Sequence, residues 1–227
     1  MLDTSRRAHL PDPTGSRDRD HRRCIPSGTR GSWRTTAGRP RPRRGRRCSR
    51  ATGAGSATRP PGRTARDRES AVGGQAPAAM VLSCADSRVP AELVFDLGLG
   101  DLFVVRTAGQ VVDDAVRGTL AYGAGALGIP LLVVLGHSHC GAVKAAVSVA
   151  AGGDTPAPAP LGWLVGDIAP VCSGEGDEAV AAAVDANVRR EVEQLGTEPA
   201  LGELVRDGRL TIVGARYDLE TGAVVGL

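Results

Sequence analysis

Two cysteines and one histidine are the residues of this chain whose types and spacing best suit chemistry: Cys84, His137 and Cys140. A thiolate, an imidazole and a second thiolate are ligands that zinc prefers, and three protein ligands leave one tetrahedral position open. Structural zinc sites usually have four protein ligands, whereas catalytic sites keep a position for water or substrate. The three residues therefore predict a catalytic zinc site.

Each ligand group follows an apolar run that predicts a buried parallel strand. Met80–Ser83 precedes Cys84, and Leu131–Leu135 precedes His137. Open α/β sheets place their sites at the carboxyl ends of parallel strands, so both groups are expected at one edge of a sheet. The residues after Cys140 have helix-forming composition, which places its thiol near a helix N-terminus, where partial positive charge favours the thiolate.

Two linked segments carry a family resemblance. Residues 84–88 (Cys-Ala-Asp-Ser-Arg) and 136–141 (Gly-His-Ser-His-Cys-Gly) resemble the paired C-x-D-S-R and G-H-x-x-C-G signatures of the β-class carbonic anhydrases. The two in order are far more specific than either alone. Further similar segments lie at residues 74–77, 101–109 and 213–222. The resemblance covers roughly residues 73 to 227.

The resemblance implies reversible hydration of carbon dioxide to bicarbonate and a proton, with zinc held by Cys84, His137 and Cys140. Arg88 would hold the carboxylate of Asp86 in a bidentate fork, and that carboxylate would orient the nucleophile. Alternatively, the pair is only a surface ion pair worth less than about 1 kcal/mol. In some relatives this aspartate moves onto the zinc at lower pH, and the sequence leaves open which behaviour applies to Asp86.

Three further residues near these signatures have expected roles. Gln75 and Gly109 are expected to bind substrate, Gln75 by donating its amide N–H to a substrate oxygen as the glutamine at this place does in relatives. Gly109 precedes Gln110, where relatives commonly carry asparagine. His139 is the competing histidine, and we expect it to face solvent, support the ligands or relay protons rather than bind zinc.

Apolar runs alternate with helical stretches from Ala78 onward, which is typical of βαβ units. The fold class predicted is α/β, with a central, mainly parallel β-sheet flanked by helices. The predicted strands are 79–84, 102–106, 131–135, 210–215 and 223–226; the predicted helices are 90–97, 113–127, 140–151, 178–195 and 201–205.

The chain divides by composition into residues 1–72 and a carbonic anhydrase domain at 73–227. Residues 1–70 contain 19 Arg, no Lys and 6 acidic residues, which gives a net charge of +13 against −10 for the rest. Such a segment cannot bury enough apolar surface to order itself, so we expect disorder or a frame artefact. Relatives begin with amphipathic helices that reach across a dimer, and none is evident before Gly73.

The remaining expectations concern compartment, partners and alternatives. Cys24, Cys48 and Cys172 have no assigned partner, so a reducing, cytoplasmic compartment is favoured. A homodimer or higher homo-oligomer is expected, weakened by the atypical N-terminus, with no membrane and no nucleic acid partner. The alternatives are zinc hydrolysis of another heterocumulene such as carbon disulfide, a non-catalytic bicarbonate-sensing relic, and a binding protein that uses the basic arm.

Overall fold

A five-stranded sheet forms the centre of the protein, which was analysed as a computed structural model that describes residues 71–227. The predictions for residues 1–70 lie outside the described residues. The strands are β1 (Ala79–Cys84), β2 (Leu102–Thr107), β3 (Leu131–His137), β4 (Thr211–Tyr217) and β5 (Val224–Gly226), in the order β2-β1-β3-β4-β5. The first four pair in parallel and β5 is antiparallel, so the predicted fold class is confirmed.

Six α-helices of the described residues connect and flank these strands. They are α1 (Ala91–Val94), α2 (Asp114–Ala121), α3 (Gly141–Ala150), α4 (Ala159–Ile168), α5 (Gly176–Thr197) and α6 (Pro199–Arg206). Asp113 caps α2 by accepting a hydrogen bond from the N–H of Val116. Glu198 caps α6 in the same way, with Pro199 at the first helical position, where no N–H is needed.

Most element boundaries differ from the sequence prediction by a few residues, and three differences are the most informative. The helix predicted at 113–127 ends at Ala121 and continues as a wider π-turn, Tyr122–Ala126. A Cβ on Gly123 would lie 2.5 Å from the sulfur of Met80, so the chain approaches β1 closely here. The apolar segment after residue 160 is helix α4, and β3 continues to His137 because its register with β4 extends to Tyr217.

The longest helix, α5, lies directly against β3 and β4. A Cβ on Gly136 or on Gly214 would lie 2.6 or 2.8 Å from a methyl group of Val188, so only glycine permits this approach. Val188 is fully buried, together with Leu132 and Val134 of β3 on the same side of the sheet. No helix within residues 71–227 is long and apolar enough to cross a membrane.

Candidate metal centre

The three predicted ligands meet at one edge of the sheet. Cys84 is the last residue of β1, His137 is the last residue of β3, and Cys140 immediately precedes α3. Their ligand atoms all lie within 4.8 Å of one another, and all three residues are buried. Among residues 71–227, no other group of three or more cysteine, histidine or acidic side chains converges in this way.

His137 has one ring nitrogen engaged and one free. Nδ1 lies 2.9 Å from the carbonyl oxygen of Ser138, a contact in which the nitrogen must be the donor. In the neutral ring Nε2 then carries the lone pair, and it is buried without a hydrogen-bond partner. A buried, unsatisfied nitrogen is destabilising, and a metal ion facing it would remove that cost.

The sulfur atoms of Cys84 and Cys140 lie 4.0 Å apart, and the pKa values of the two thiols shift in opposite directions. Hydrogen bonding, most of all with Cys140, outweighs the cost of burial and lowers the pKa of Cys84 to about 4. The N–H groups of Gly109, at 3.2 Å, and Asp86, at 3.4 Å, also donate to the Cys84 sulfur. The same thiol–thiolate bond, together with burial, raises the pKa of Cys140. A cation between the sulfurs would stabilise both thiolates, so the donor set fits zinc.

Asp86 is held by Arg88 in the predicted fork. Arg88 Nε donates to Oδ1 at 2.9 Å and Nη2 donates to Oδ2 at 2.7 Å. These bonds hold the pKa of Asp86 well below its usual range, so the carboxylate stays charged. Asp86 Oδ2 lies 4.0 Å from His137 Nε2, which places the clamped carboxylate beside the ligand group.

Arg106 is a contributor that the sequence analysis did not identify. Its Nε donates to the carbonyl oxygen of Cys84 at 2.9 Å, and its Nη2 donates to that of Asp86 at 2.6 Å. The side chain therefore fixes the backbone on both sides of Ala85. A charged residue within the otherwise apolar strand β2 was the available signal, because a partly buried arginine needs acceptors.

Gly109 contacts the ligand group through its backbone. Its N–H points at the Cys84 sulfur, and its carbonyl oxygen accepts a hydrogen bond from Asn187 Nδ2 at 3.0 Å. The substrate-binding role predicted for Gly109 stays a prediction, and its N–H is already engaged by a ligand. Asn187, on α5, is a second residue that the sequence analysis missed.

The other predicted residues lie around the edge of the site. His139 is exposed, with Nε2 3.4 Å from Glu220 Oε1, and it is not part of the ligand group. Its carbonyl oxygen accepts a hydrogen bond from Arg88 at 3.2 Å, so only its backbone contacts the fork. Gln75 is exposed in the loop before β1, and Gln110 is buried with an unpartnered Nε2.

The fold and the site together define an α/β protein with a buried Cys2His group whose donor atoms suit zinc. The family model described as carbonic anhydrase matches residues 79–224, and the chain belongs to that family, in its β class. Its cofactor is zinc, and its reaction is the reversible hydration of carbon dioxide to bicarbonate.

Relatives and solved structures agree with this assignment. The chain is 41% identical to carbonic anhydrase 2 of Mycobacterium tuberculosis, with 73% of this chain and 81% of the relative covered. It is 42% identical to a carbonic anhydrase of Mycolicibacterium smegmatis, with 69% and 78% covered. The structure of the β-carbonic anhydrase CcaA matches with a TM-score of 0.64 at 28% identity, and 72% of this chain and 85% of that chain are covered.

We expect Gly109→Ala to destabilise the zinc-loaded protein by about 2 kcal/mol or more. The added Cβ would lie 2.6 Å from Ile168 Cδ1 and 3.1 Å from Ala142 Cβ, at a φ of +66°. Gly118→Ala is the matched control, because nothing lies within 4 Å of its Cβ in α2, and it should stabilise by up to about 1 kcal/mol. Denaturant unfolding measures both, and equal stability of the Gly109 variant and wild type would contradict the close packing.

Proposed function

We propose that Cys84, His137 and Cys140 hold the zinc ion at which this chain hydrates carbon dioxide. The observation that carries the proposal is the buried, unpartnered Nε2 of His137, which faces two thiols within ligand distance of one another. Among residues 71–227 the group consists of three side chains, and a zinc site with three protein ligands keeps a fourth tetrahedral position for water or substrate.

The chain's own residues would position the reactants. A bound zinc ion lowers the pKa of a coordinated water so that it can act as a nucleophile near neutral pH. The Asp86 carboxylate would accept a hydrogen bond from that nucleophile and fix its direction, while Arg88 keeps the carboxylate charged and at a constant angle. Arg106 supports both residues by holding the loop backbone. Gln75 would donate its amide N–H to a substrate oxygen from the loop before β1.

Substitution of a ligand should remove zinc and activity together. We expect Cys84→Ser and His137→Ala to bind less than one zinc per chain and to lose carbon dioxide hydration, because each removes one of three ligand atoms. Elemental analysis and a stopped-flow hydration assay measure the two properties. His139→Ala and Cys172→Ser are matched controls that should keep full zinc. Zinc loss in the His139 variant would show that the wrong histidine has been assigned.

Substitution of the fork should separate zinc binding from activity. We expect Asp86→Ala to keep its zinc and to lose about 10- to 100-fold in hydration rate, because the carboxylate orients the nucleophile without binding the metal. Arg88→Ala should have a similar effect, since it frees the carboxylate. Asp114→Ala removes a comparable but exposed Asp–Arg pair and should keep the wild-type rate. Wild-type rates in the Asp86 variant would show that the fork is only structural.

A homo-oligomer is the assembly that the surface supports. Among residues 71–227, β2 is an edge strand with no partner on its outer side. Two exposed apolar residues lie close to it: Leu99 shortly precedes β2 in the chain, and the ring of Tyr122 lies beside that of Phe103. Open edges and apolar patches of this kind usually mark interfaces. Light scattering of the purified zinc protein should give at least twice the chain mass, and a monomer at micromolar concentration would contradict the proposal.

We also propose a reducing, cytoplasmic compartment. Cys84, Cys140 and Cys172 are free thiols in the described part of the chain. An oxidising compartment would favour oxidation of the proposed ligands Cys84 and Cys140. Cell fractionation with an antibody tests this, and recovery outside the cytoplasm would contradict it.

A further inference from the structure

A single buried amide on α5 is the starting observation. Asn187 is fully buried in the middle of this helix, next to the core residue Val188. A polar side chain in such a place costs free energy unless it forms hydrogen bonds. Its Nδ2 donates to the carbonyl oxygen of Gly109 at 3.0 Å, while its Oδ1 has no partner. Among residues 71–227, the Asn187 side chain therefore forms a single hydrogen bond, the one to Gly109.

The loop that receives this bond has an unusual backbone. Gly109 and Gln110 both have positive φ, at 66° and 50°. Such a conformation is easily reached by glycine and rarely by glutamine, so the loop needs external support. Thr107 provides part of it, because its hydroxyl donates to the carbonyl oxygen of Val111 at 2.7 Å. Asn187 provides a further hydrogen bond, from a helix position 78 residues further along the chain.

Steric contacts leave the Cα of Gly109 little room to move. The space that a Cβ would need is taken by Ile168 at the end of α4 and by Ala142 at the start of α3. Contacts of this kind limit translation of the residue, but they do not fix the direction of its N–H. The Gly109 C=O and N–H belong to the two peptide planes that meet at its Cα. The hydrogen bond from Asn187 fixes the plane of the C=O and so anchors the residue whose N–H donates to the Cys84 sulfur at 3.2 Å.

We propose that Asn187 is a positioning residue for the metal centre, which holds the Gly109 carbonyl so that the Gly109 N–H donates to the Cys84 sulfur. The inference rests on the proposed role of Cys84 as a zinc ligand. An N–H bond to a thiolate withdraws electron density from the sulfur, so the ligand donates less charge to the metal. The metal then keeps more positive charge for the reaction, which is the way that groups behind a ligand usually tune a site.

Cobalt substitution tests this without relying on activity. In the cobalt-loaded holoprotein, we expect Asn187→Leu, which is similar in size and lacks the donor, to shift the thiolate-to-cobalt charge-transfer band to longer wavelength. The reason is that a sulfur without its N–H bond holds its electrons less tightly. The d–d bands, which report coordination number, should stay as in wild type.

A matched control separates positioning from general loss of packing. Val188→Ala removes neighbouring core contacts on α5 against Gly136 and Gly214, so it should lower the melting temperature and leave the charge-transfer band unchanged. If the leucine variant does not fold, Asn187→Ala removes the same donor without adding bulk and should give the same shift. A folded Asn187 variant with the wild-type band would overturn the proposal, as would an equal shift in Val188→Ala.

The same measurement distinguishes failure of this inference from failure of the proposed function. Wild-type protein that binds cobalt with a thiolate band confirms that a sulfur ligates the metal. Wild-type protein without such a band would refute the assignment of Cys84 and Cys140 as ligands, whatever the Asn187 variants show. A thiolate band in wild type that stays in place in both Asn187 variants would refute only the positioning role.

Discussion

The parallel pairing of β1 with β3 is the constraint on which the site depends. The register that joins Ser83 to Leu135 brings the carboxyl ends of both strands to one edge, so that Cys84 and His137 face a common space. Because side chains alternate along a strand, a slip of one residue would turn a ligand to the opposite side of the sheet. The apolar runs that fix this register through burial on both faces therefore also fix the metal geometry.

Helix α5 adds a further contact to the site that the strands form. Glycines on β3 and β4 let α5 approach the sheet closely enough for Val188 to fill the space, and the same approach brings the neighbouring Asn187 to the loop after β2. That loop then contacts Cys84, which is an end residue of a different strand. Packing of the apolar core and hydrogen bonding around the sulfur thus depend on one helix through two different residues, Val188 at the sheet and Asn187 at the loop.

Local sequence was sufficient to predict the site residues whose partners lie within the same short segment. Cys84, Asp86 and Arg88 lie within five residues, and the fork joins Asp86 to Arg88 across a two-residue separation, so the family resemblance of this short segment predicted it. Arg106 and Asn187 act across 20 to 78 residues of chain, and their partners are backbone carbonyls, which carry no sequence signal. For the same reason the alternation of elements predicted the parallel sheet, whereas the π-turn at Tyr122–Ala126 depends on the close contact of Gly123 with Met80.

Charge compensation explains why the Cys84 sulfur accepts hydrogen bonds from two backbone N–H groups, those of Asp86 and Gly109. Two buried thiolates would repel each other strongly, and the pKa values of Cys84 and Cys140 move apart because the protein alone stabilises only one of them. Backbone N–H groups reduce the cost of the first thiolate without adding a competing cation that would repel zinc. The two arginines bind groups behind the ligand atoms instead: Arg88 neutralises Asp86, and Arg106 donates to backbone carbonyl oxygens. The site thereby keeps negative charge on the ligand atoms, where it attracts a divalent cation.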